Sequence, residues 1–257
     1  MPGTDLKAER RDLYAPKRDT FVEVVVPVMT YLAVEGHGDP NASEEYRHAV
    51  EALFVASYAA KFVSKNELGK DYVVLPLEGL WWAADMSAFA ARNKASWSWR
   101  MLIRQPDWLD ADLLMQAVQT AQRKGAAAAG LLHRHPLDEG RCVQTLHIGS
   151  YDDEGPILAR LHDDYLPDRG LRPAGLHHEI YLSDVRRTEP AKLRTILRQP
   201  VAAVDGALTH DEGSGRGPTY GRRGAPRSMA RTALRRAGAG SGSPWSARRT
   251  MRSPVMP

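Results

Sequence analysis

Cysteine is almost absent from this 257-residue chain, which has only Cys142. No disulfide can form within it, and a reducing compartment, the cytoplasm, is expected. No apolar run approaches the roughly 20 residues needed to span a bilayer. The opening MPGTDLKAERRDLYAPKRDT is too charged for a signal peptide, so neither a membrane nor export is expected. Also missing are a phosphate-binding G-x-x-x-x-G-K-[ST], a dinucleotide-binding G-x-G-x-x-G and a nucleophile elbow G-x-S-x-G. The nine histidines include His133 and His135, and the adjacent pair His177 and His178. None has zinc-ligand spacing with cysteine or acids, so no metal and no cofactor is expected.

Lysine is missing from Gly206 onward, and acids nearly so. Ten of the 35 basic residues and two of the 31 acids lie there, so this tail carries +8. Residues 1–205 hold the remaining 25 bases against 29 acids, a net −4. The basic pI of about 9.2 is therefore no argument for a specific nucleic-acid partner. Rich in Gly, Ser, Pro and Arg and without an apolar period, residues 206–257 read as a disordered tail. Residues 1–20 read as an N-terminal extension, and residues 21–205 as the folded domain.

Within that domain, FVEVVVPVMTYLAVEG (21–36) is rich in β-branched residues and reads as a strand bent near Pro27. Ser43 caps a helix with Glu44 and Glu45 in its first turn. Its apolar face carries Val50, Leu53, Phe54, Ser57, Tyr58 and Phe62. DYVVLPLEGLWWA and SWSWRMLIR are two further strands. A helix capped by Asp110 uses Leu113, Leu114, Ala117, Val118 and Ala121 and stops at Gly125. After a loop at RHPLDEG the order recurs: RCVQTLHIG a strand, DDEGPILARLHDDYL a helix, LHHEIYLSD a strand, and LRTILRQPV a short final strand. The expected fold class is α+β, a duplicated βαββ unit (about 21–105 and 106–205). It would form a pseudo-twofold antiparallel sheet assembly with helices on one side and a central ligand cleft.

What the chain does have is tryptophan in one place. The stretch from Leu77 to Trp108 contains Trp81, Trp82, Trp97, Trp99 and Trp108, five of the six in the chain. Strand alternation puts Trp97, Trp99, Met101 and Ile103 on one face, a flat apolar wall about 7 Å long. Trp81 and Trp82 are adjacent, so at most one joins that wall. Phe54 and Tyr58, at i and i+4 on the helix, can project from the layer above. Any lone tryptophan is read most simply as core. The set as a whole favours a cage, because each buried indole N–H needs a partner.

In HHEIYLSD, period two places His177, Glu179 and Tyr181 on one strand face and His178 and Ile180 on the other. An inward carboxylate must be paired or hold a raised pKa, and would suit a general base or a cation's counterpart; an outward one is a solvated surface residue. Tyr151 sits at a strand exit just before a helix, placed either for a ligand or as an ordinary boundary residue. Cys142 faces with Gln144, Leu146 and Ile148, which reads as packed core.

The blocks YLAVEGHGDPN, DYVVLPLEGLWW, WSWRMLIRQPDW, LHIGSYDDE and HHEIYLSDVRRTEPAKLRTILRQPV together resemble the GyrI-like small-molecule-binding family, and within it the stand-alone cyclopropanoid cyclopropyl hydrolases. The resemblance runs from about Phe21 to Val201. Ser150 and Val185 stand where proline is usual, and the tail has no counterpart. The resemblance implies the duplicated βαββ fold, a cage from Trp82, Trp97 and Trp99 with Phe54 and Tyr58, and catalytic roles for Glu179 and Tyr151. It implies a flat aromatic small-molecule substrate, a strained cyclopropane opened by water. The alternatives are a binding protein that sequesters a drug in the same cage, and a gyrase-binding accessory protein. The mild −4 of the body speaks against the last.

Overall fold

The computed structural model describes residues 3–84 and 94–204. The expected disordered tail lies outside them, as does the middle of the tryptophan-rich stretch. Nine antiparallel strands make one sheet: β1 (Val22–Val26), β2 (Met29–His37), β3 (Leu77–Ala83), β4 (Trp97–Arg104), β5 (His133–Leu137), β6 (Gly140–Ile148), β7 (Leu171–Pro173), β8 (His177–Tyr181) and β9 (Arg194–Ala203). Their order is β1-β6-β9-β8-β3-β4-β2-β5, with β7 added beside β9.

β1 and β2 are one strand interrupted at Pro27, which cannot donate to the ladder. β5 and β6 are likewise one strand, interrupted at Asp138–Glu139. The pairing Val26↔Gly140 continues across both interruptions as Met29↔Leu137. Gly140 takes a φ of +59° there, a left-handed conformation that glycine adopts without strain. This long crossing pair leads into two halves of like order. One places β4 between β2 and β3; the other places β9 between β6 and β8; the halves meet where β3 pairs β8.

Helix α3 (Glu44–Leu68) follows two short N-terminal turns, α1 (Leu6–Glu9) and α2 (Arg11–Tyr14). The Ser43 hydroxyl accepts the Tyr46 N–H at 3.1 Å, and Gly69 closes the helix at φ +66° with its N–H on the Ser64 carbonyl. The small residues Ala49, Ala52, Ala56 and Ala60, with Leu53, are buried and let the helix lie close over β2 and β4. Helix α4 (Ala111–Arg123), capped by Asp110 on the Leu113 N–H at 2.9 Å, packs outside α3 through Leu114, Ala117, Val118 and Ala121. In the second half the helical segment is α5 (Gly155–Ala159), a π-helical stretch Arg160–Tyr165, and α6 (Leu166–Asp168). Ile157 and Leu158 pack on Leu197, while Leu161 and Leu166 pack on Val143 and Val201.

α3 and α5 thus lie on the same face of the sheet, over its flanks. Neither packs closely on the central strands β3 and β8, which leaves the middle of that face for side chains that do other work.

Two segments differ from expectation. RHPLDEG contributes β5 rather than a plain loop, with Pro136 on an edge strand where proline is tolerated. The last strand is not short: β9 runs ten residues and pairs with three others. The N-terminal residues 3–20 form a strap that packs on the domain: Leu13 and Tyr14 are buried against the sheet face opposite α3, and Leu6 is buried as well.

Under that N-terminal strap lies a buried polar network. His178 bridges two carboxylates, with Nε2 3.0 Å from Glu78 and Nδ1 2.9 Å from Glu139. Arg198 donates to Glu139 at 3.1 Å, to Gln144 at 3.0 Å and to the Leu13 carbonyl at 3.1 Å, and the Tyr14 hydroxyl donates to Glu78 at 3.3 Å. Glu139 comes from the interruption between β5 and β6, where the break in the ladder turns its side chain inward. Cys142 packs beside it, and burial pushes its thiol up to about 12, as expected for core rather than nucleophile.

Candidate functional site

The site grows from register. Trp99 lies directly opposite Gly36 on one side and Trp81 on the other, and Trp81 lies opposite His177. Gly36, Trp99, Trp81 and His177 therefore form one row across four strands on the helix-bearing face. The next row runs Met101, Gly79, Glu179 and Leu197. A third sets Tyr181 opposite Thr195, and Thr195 opposite His147.

Both glycines in these rows make room for rings. A Cβ on Gly36 would fall 2.2 Å from the Trp99 ring, and one on Gly79 would fall 2.8 Å from Trp81 Nε1 and 3.1 Å from the Tyr181 hydroxyl. Glycine inside a strand commonly marks such a close approach. Trp99 is fully buried and cannot swing aside freely. Gly36→Ala is therefore expected to cost about 1–3 kcal/mol as an overpacking change and to alter the tryptophan emission. An unchanged melting temperature and spectrum would show that the indole is not held there.

The rings define the walls. Trp81 meets Trp97 edge to face at 5.9 Å between centroids. Tyr46, from the first turn of α3, meets Trp99 edge to face at 5.2 Å and stacks on Trp81 at 6.4 Å. Tyr151 meets Tyr181 edge to face at 5.6 Å. Between them a hydrogen-bonded chain runs from Trp81 Nε1 to the Tyr181 hydroxyl (3.0 Å), and from that hydroxyl to Glu179 Oε2 (2.7 Å). His177 Nε2 is 3.4 Å from Glu179 Oε1. Trp99 Nε1 makes no hydrogen bond among the described residues.

Of the residues expected from the sequence, Glu179, Tyr151, Trp97 and Trp99 are brought together. Trp82 is not among them. Its strand neighbour Trp81 takes the place opposite Trp99, and period two sends Trp82 to the other face, where the Arg100 guanidinium lies 5.9 Å from its ring. Phe54 and Tyr58 are also displaced by geometry. At 100° per residue Tyr46 falls in line with buried Ala49, Leu53 and Ala60. Phe54 lies at the flank of that line, and Tyr58 stands on the outer side, 51% exposed. The helix contributes Tyr46 instead. Trp108 belongs to a separate contact, donating to Ser64 at 2.9 Å.

The electrostatics fit a neutral-donor, acidic floor. Burial, and then the nearby Glu179 charge, push the Tyr151 and Tyr181 phenols above their usual range. They are hydrogen-bond donors rather than phenolates. His162, on the π-helical stretch, is pushed down to about 4 by burial and by His177. Glu154, at the end of the turn that carries Tyr151, is 4% exposed, though in the sequence it is one acid among the three of the DDE run. Burial and then Glu179 hold its carboxyl well above the usual carboxylate range. Among the described residues no group of three or more His, Cys, Asp or Glu side chains is placed to hold a metal ion, and no helix is long and apolar enough to cross a membrane.

An aromatic-walled, acidic-floored site between flanking helices, on an open antiparallel sheet, is the form of a small-molecule-binding protein. The model of the GyrI-like small-molecule-binding domain matches residues 20–202. The chain belongs to the GyrI-like family. Three solved structures from Listeria innocua are similar along nearly their whole length. An uncharacterized conserved protein is 36% identical with a TM-score of 0.71, over 77% of this chain and 99% of its own. Two proteins described as hydrolases are 34% and 35% identical with TM-scores of 0.69 and 0.66. They cover 78% and 77% of this chain, and 100% and 99% of theirs. The search of curated proteins returned no significant match.

Proposed function

We propose that this protein is a hydrolase that opens the cyclopropane ring of cyclopropanoid DNA-alkylating compounds of the yatakemycin and duocarmycin type, disarming them in the cytoplasm as self-resistance or detoxification. The observation that carries this reading is the placing of Glu179. It is a carboxylate 16% exposed, with Tyr181 donating to one oxygen and His177 Nε2 3.4 Å from the other, and its charge acts on the Tyr46, Tyr151 and Tyr181 phenols. The hydrolase descriptions of two relatives support the reaction type, and the resemblance of the sequence blocks supports the substrate class.

The chemistry suits these groups. A planar fused aromatic amide is held against Trp81, Trp97 and Tyr46, with the buried Trp99 packed behind them, by area and dispersion. Glu179 takes a proton from water as the water oxygen bonds to the cyclopropane methylene. The ring C–C bond breaks, and its electron pair moves through the dienone to the carbonyl oxygen, where Tyr151 donates a hydrogen bond to the developing charge. A proton taken up at that oxygen completes a phenol, so the net change is addition of one water. Strain release and aromatisation supply much of the driving force, and the cage supplies position.

Mass spectrometry of a cyclopropanoid incubated with the protein tests this. A gain of one water over many turnovers is expected, with Glu179→Gln lowering kcat by at least about 100-fold while ligand still quenches tryptophan fluorescence. Unchanged compound with quenching would mean sequestration without catalysis, and the reading would fall.

A further inference from the structure

The reaction above needs a proton at the substrate oxygen, and Tyr151 is a poor source of one, since its phenol holds its proton too tightly. We propose that Glu154 is the proton donor of the site, working opposite Glu179, the base. This rests on the hydrolase reading and adds a second carboxyl to it.

The geometry is specific. Tyr151 and Glu154 lie at i and i+3 on a single tight turn (Tyr151–Asp153, then Glu154), with the Glu154 N–H closing back on the Tyr151 carbonyl at 3.4 Å. That spacing brings both side chains to the same side of the turn. Tyr151 meets the Tyr181 ring, and Glu154 lies against the Thr195 hydroxyl, whose strand position is directly opposite Tyr181. Glu154 is 4% exposed, and its Oε1 has no hydrogen-bond partner among the described residues. A buried polar atom without a partner is costly unless it serves something else.

The groups facing it decide its charge. From β8 come Glu179 and, donating to Glu179 rather than to Glu154, Tyr181. From β9 comes Thr195, and on β6, across from Thr195, His147 is held by the Ser150 carbonyl at 3.1 Å. On its own turn stand Asp152 and Asp153, whose charges also oppose ionisation of Glu154. Lys94 is directed to Asp152, at 3.8 Å. Among the described residues Glu154 forms no ion pair. Burial, and then the charges of Glu179, Asp152 and Asp153, oppose ionisation of Glu154, so the proton rests on Glu154.

The water proton goes to Glu179, the Glu154 proton goes to the dienone oxygen, and the pair resets by net transfer of one proton from Glu179 to Glu154. No outside acid, base or oxidant is needed. Activity requires Glu154 protonated, so the pH–rate profile has a falling limb as Glu154 ionises.

Glu154→Gln removes the transferable proton at nearly constant shape. It is expected to lower kcat by at least about 100-fold, to abolish the falling limb and to leave ligand binding intact, while Glu154→Asp restores part of both. A separate readout needs no substrate. The infrared spectrum of the free wild type at neutral pH should show a protonated-carboxyl band that is missing in Glu154→Gln. Absence of that band, or a Glu154→Gln variant within about threefold of wild-type kcat with its falling limb kept, overturns the proposal. A wild type that shows the band but turns over no cyclopropanoid would sink the hydrolase reading, and the donor role with it, while still identifying Glu154 as the protonated carboxyl.

Discussion

Arg198→Met is expected to destabilise the protein by about 3–5 kcal/mol, the cost of leaving a buried charge without its partner. Arg198 is 1% exposed and lies across the centre of the network beneath the N-terminal strap. Its guanidinium reaches Glu139, Gln144 and the Leu13 carbonyl at once, a planar fork that lysine cannot reproduce. Methionine fills much of the volume but leaves Glu139 with His178 alone. Urea unfolding measures the loss. The double variant Arg198→Met/Glu139→Gln should recover a large part of it, because the uncompensated charge is then gone. A single variant within about 1 kcal/mol of wild type would mean that water or another cation already satisfies Glu139.

The same network is expected to give stability a pronounced dependence on pH. Burial pulls the His178 pKa down, but Glu139 and then Glu78 more than reverse this and raise it to about 9. Glu139 mirrors this: burial pushes it up, while His178 and Arg198 hold it down to about 2. For His178 the folded value exceeds the unfolded value of about 6.5. Its contribution is therefore complete below about pH 6.5 and is lost as pH rises through about 9. For Glu139 the folded value is the lower, so its contribution is present above about pH 4.5 and is lost as pH falls through about 2. A shift of this size corresponds to roughly 3 kcal/mol. The two shifts describe one interaction from either partner, so the figures are not summed. Glu154, buried and protonated, also favours lower pH. The group responsible is therefore isolated by comparing wild type with His178→Gln between pH 6 and 9. The wild type should lose stability across that range and the variant should lose much less. Parallel curves would place the titration elsewhere.

The elements were legible because their signals are local. Ser43 and Asp110 sit where caps sit, the β-branched run at 22–26 is a strand, and period two in HHEIYLSD assigns Glu179 and His178 to opposite faces without any knowledge of neighbours. Choices that depend on partners were not legible. Trp81 and Trp82 are equivalent on their own strand, and only the register that sets Trp81 against Trp99 separates them. Phe54 and Tyr58 form a plausible pair on a helix wheel, yet the run of alanines through 49, 52, 56 and 60 marks the face that approaches the sheet, and Tyr46 is in line with it. Gly36 and Gly79 carried a signal that strand patterning alone passes over, the absence of a side chain where an indole must lie. Glu154 was hidden by its setting, since acids at the start of a helix are ordinarily explained by the dipole.

The strap formed by residues 3–20 changes where this domain has to be cut. The family match begins at residue 20, and a fragment started there would retain all nine strands and every residue of the aromatic site. It would also lose the Leu13 carbonyl that receives Arg198, the Tyr14 hydroxyl on Glu78 and the Asp12 carbonyl that receives Gln144 at 2.8 Å. Water would then enter around two carboxylates, a histidine and an arginine whose mutual arrangement was set in its absence. The working boundary of a domain is drawn by the last group that a buried ion depends on, and here that group lies well upstream of the first strand.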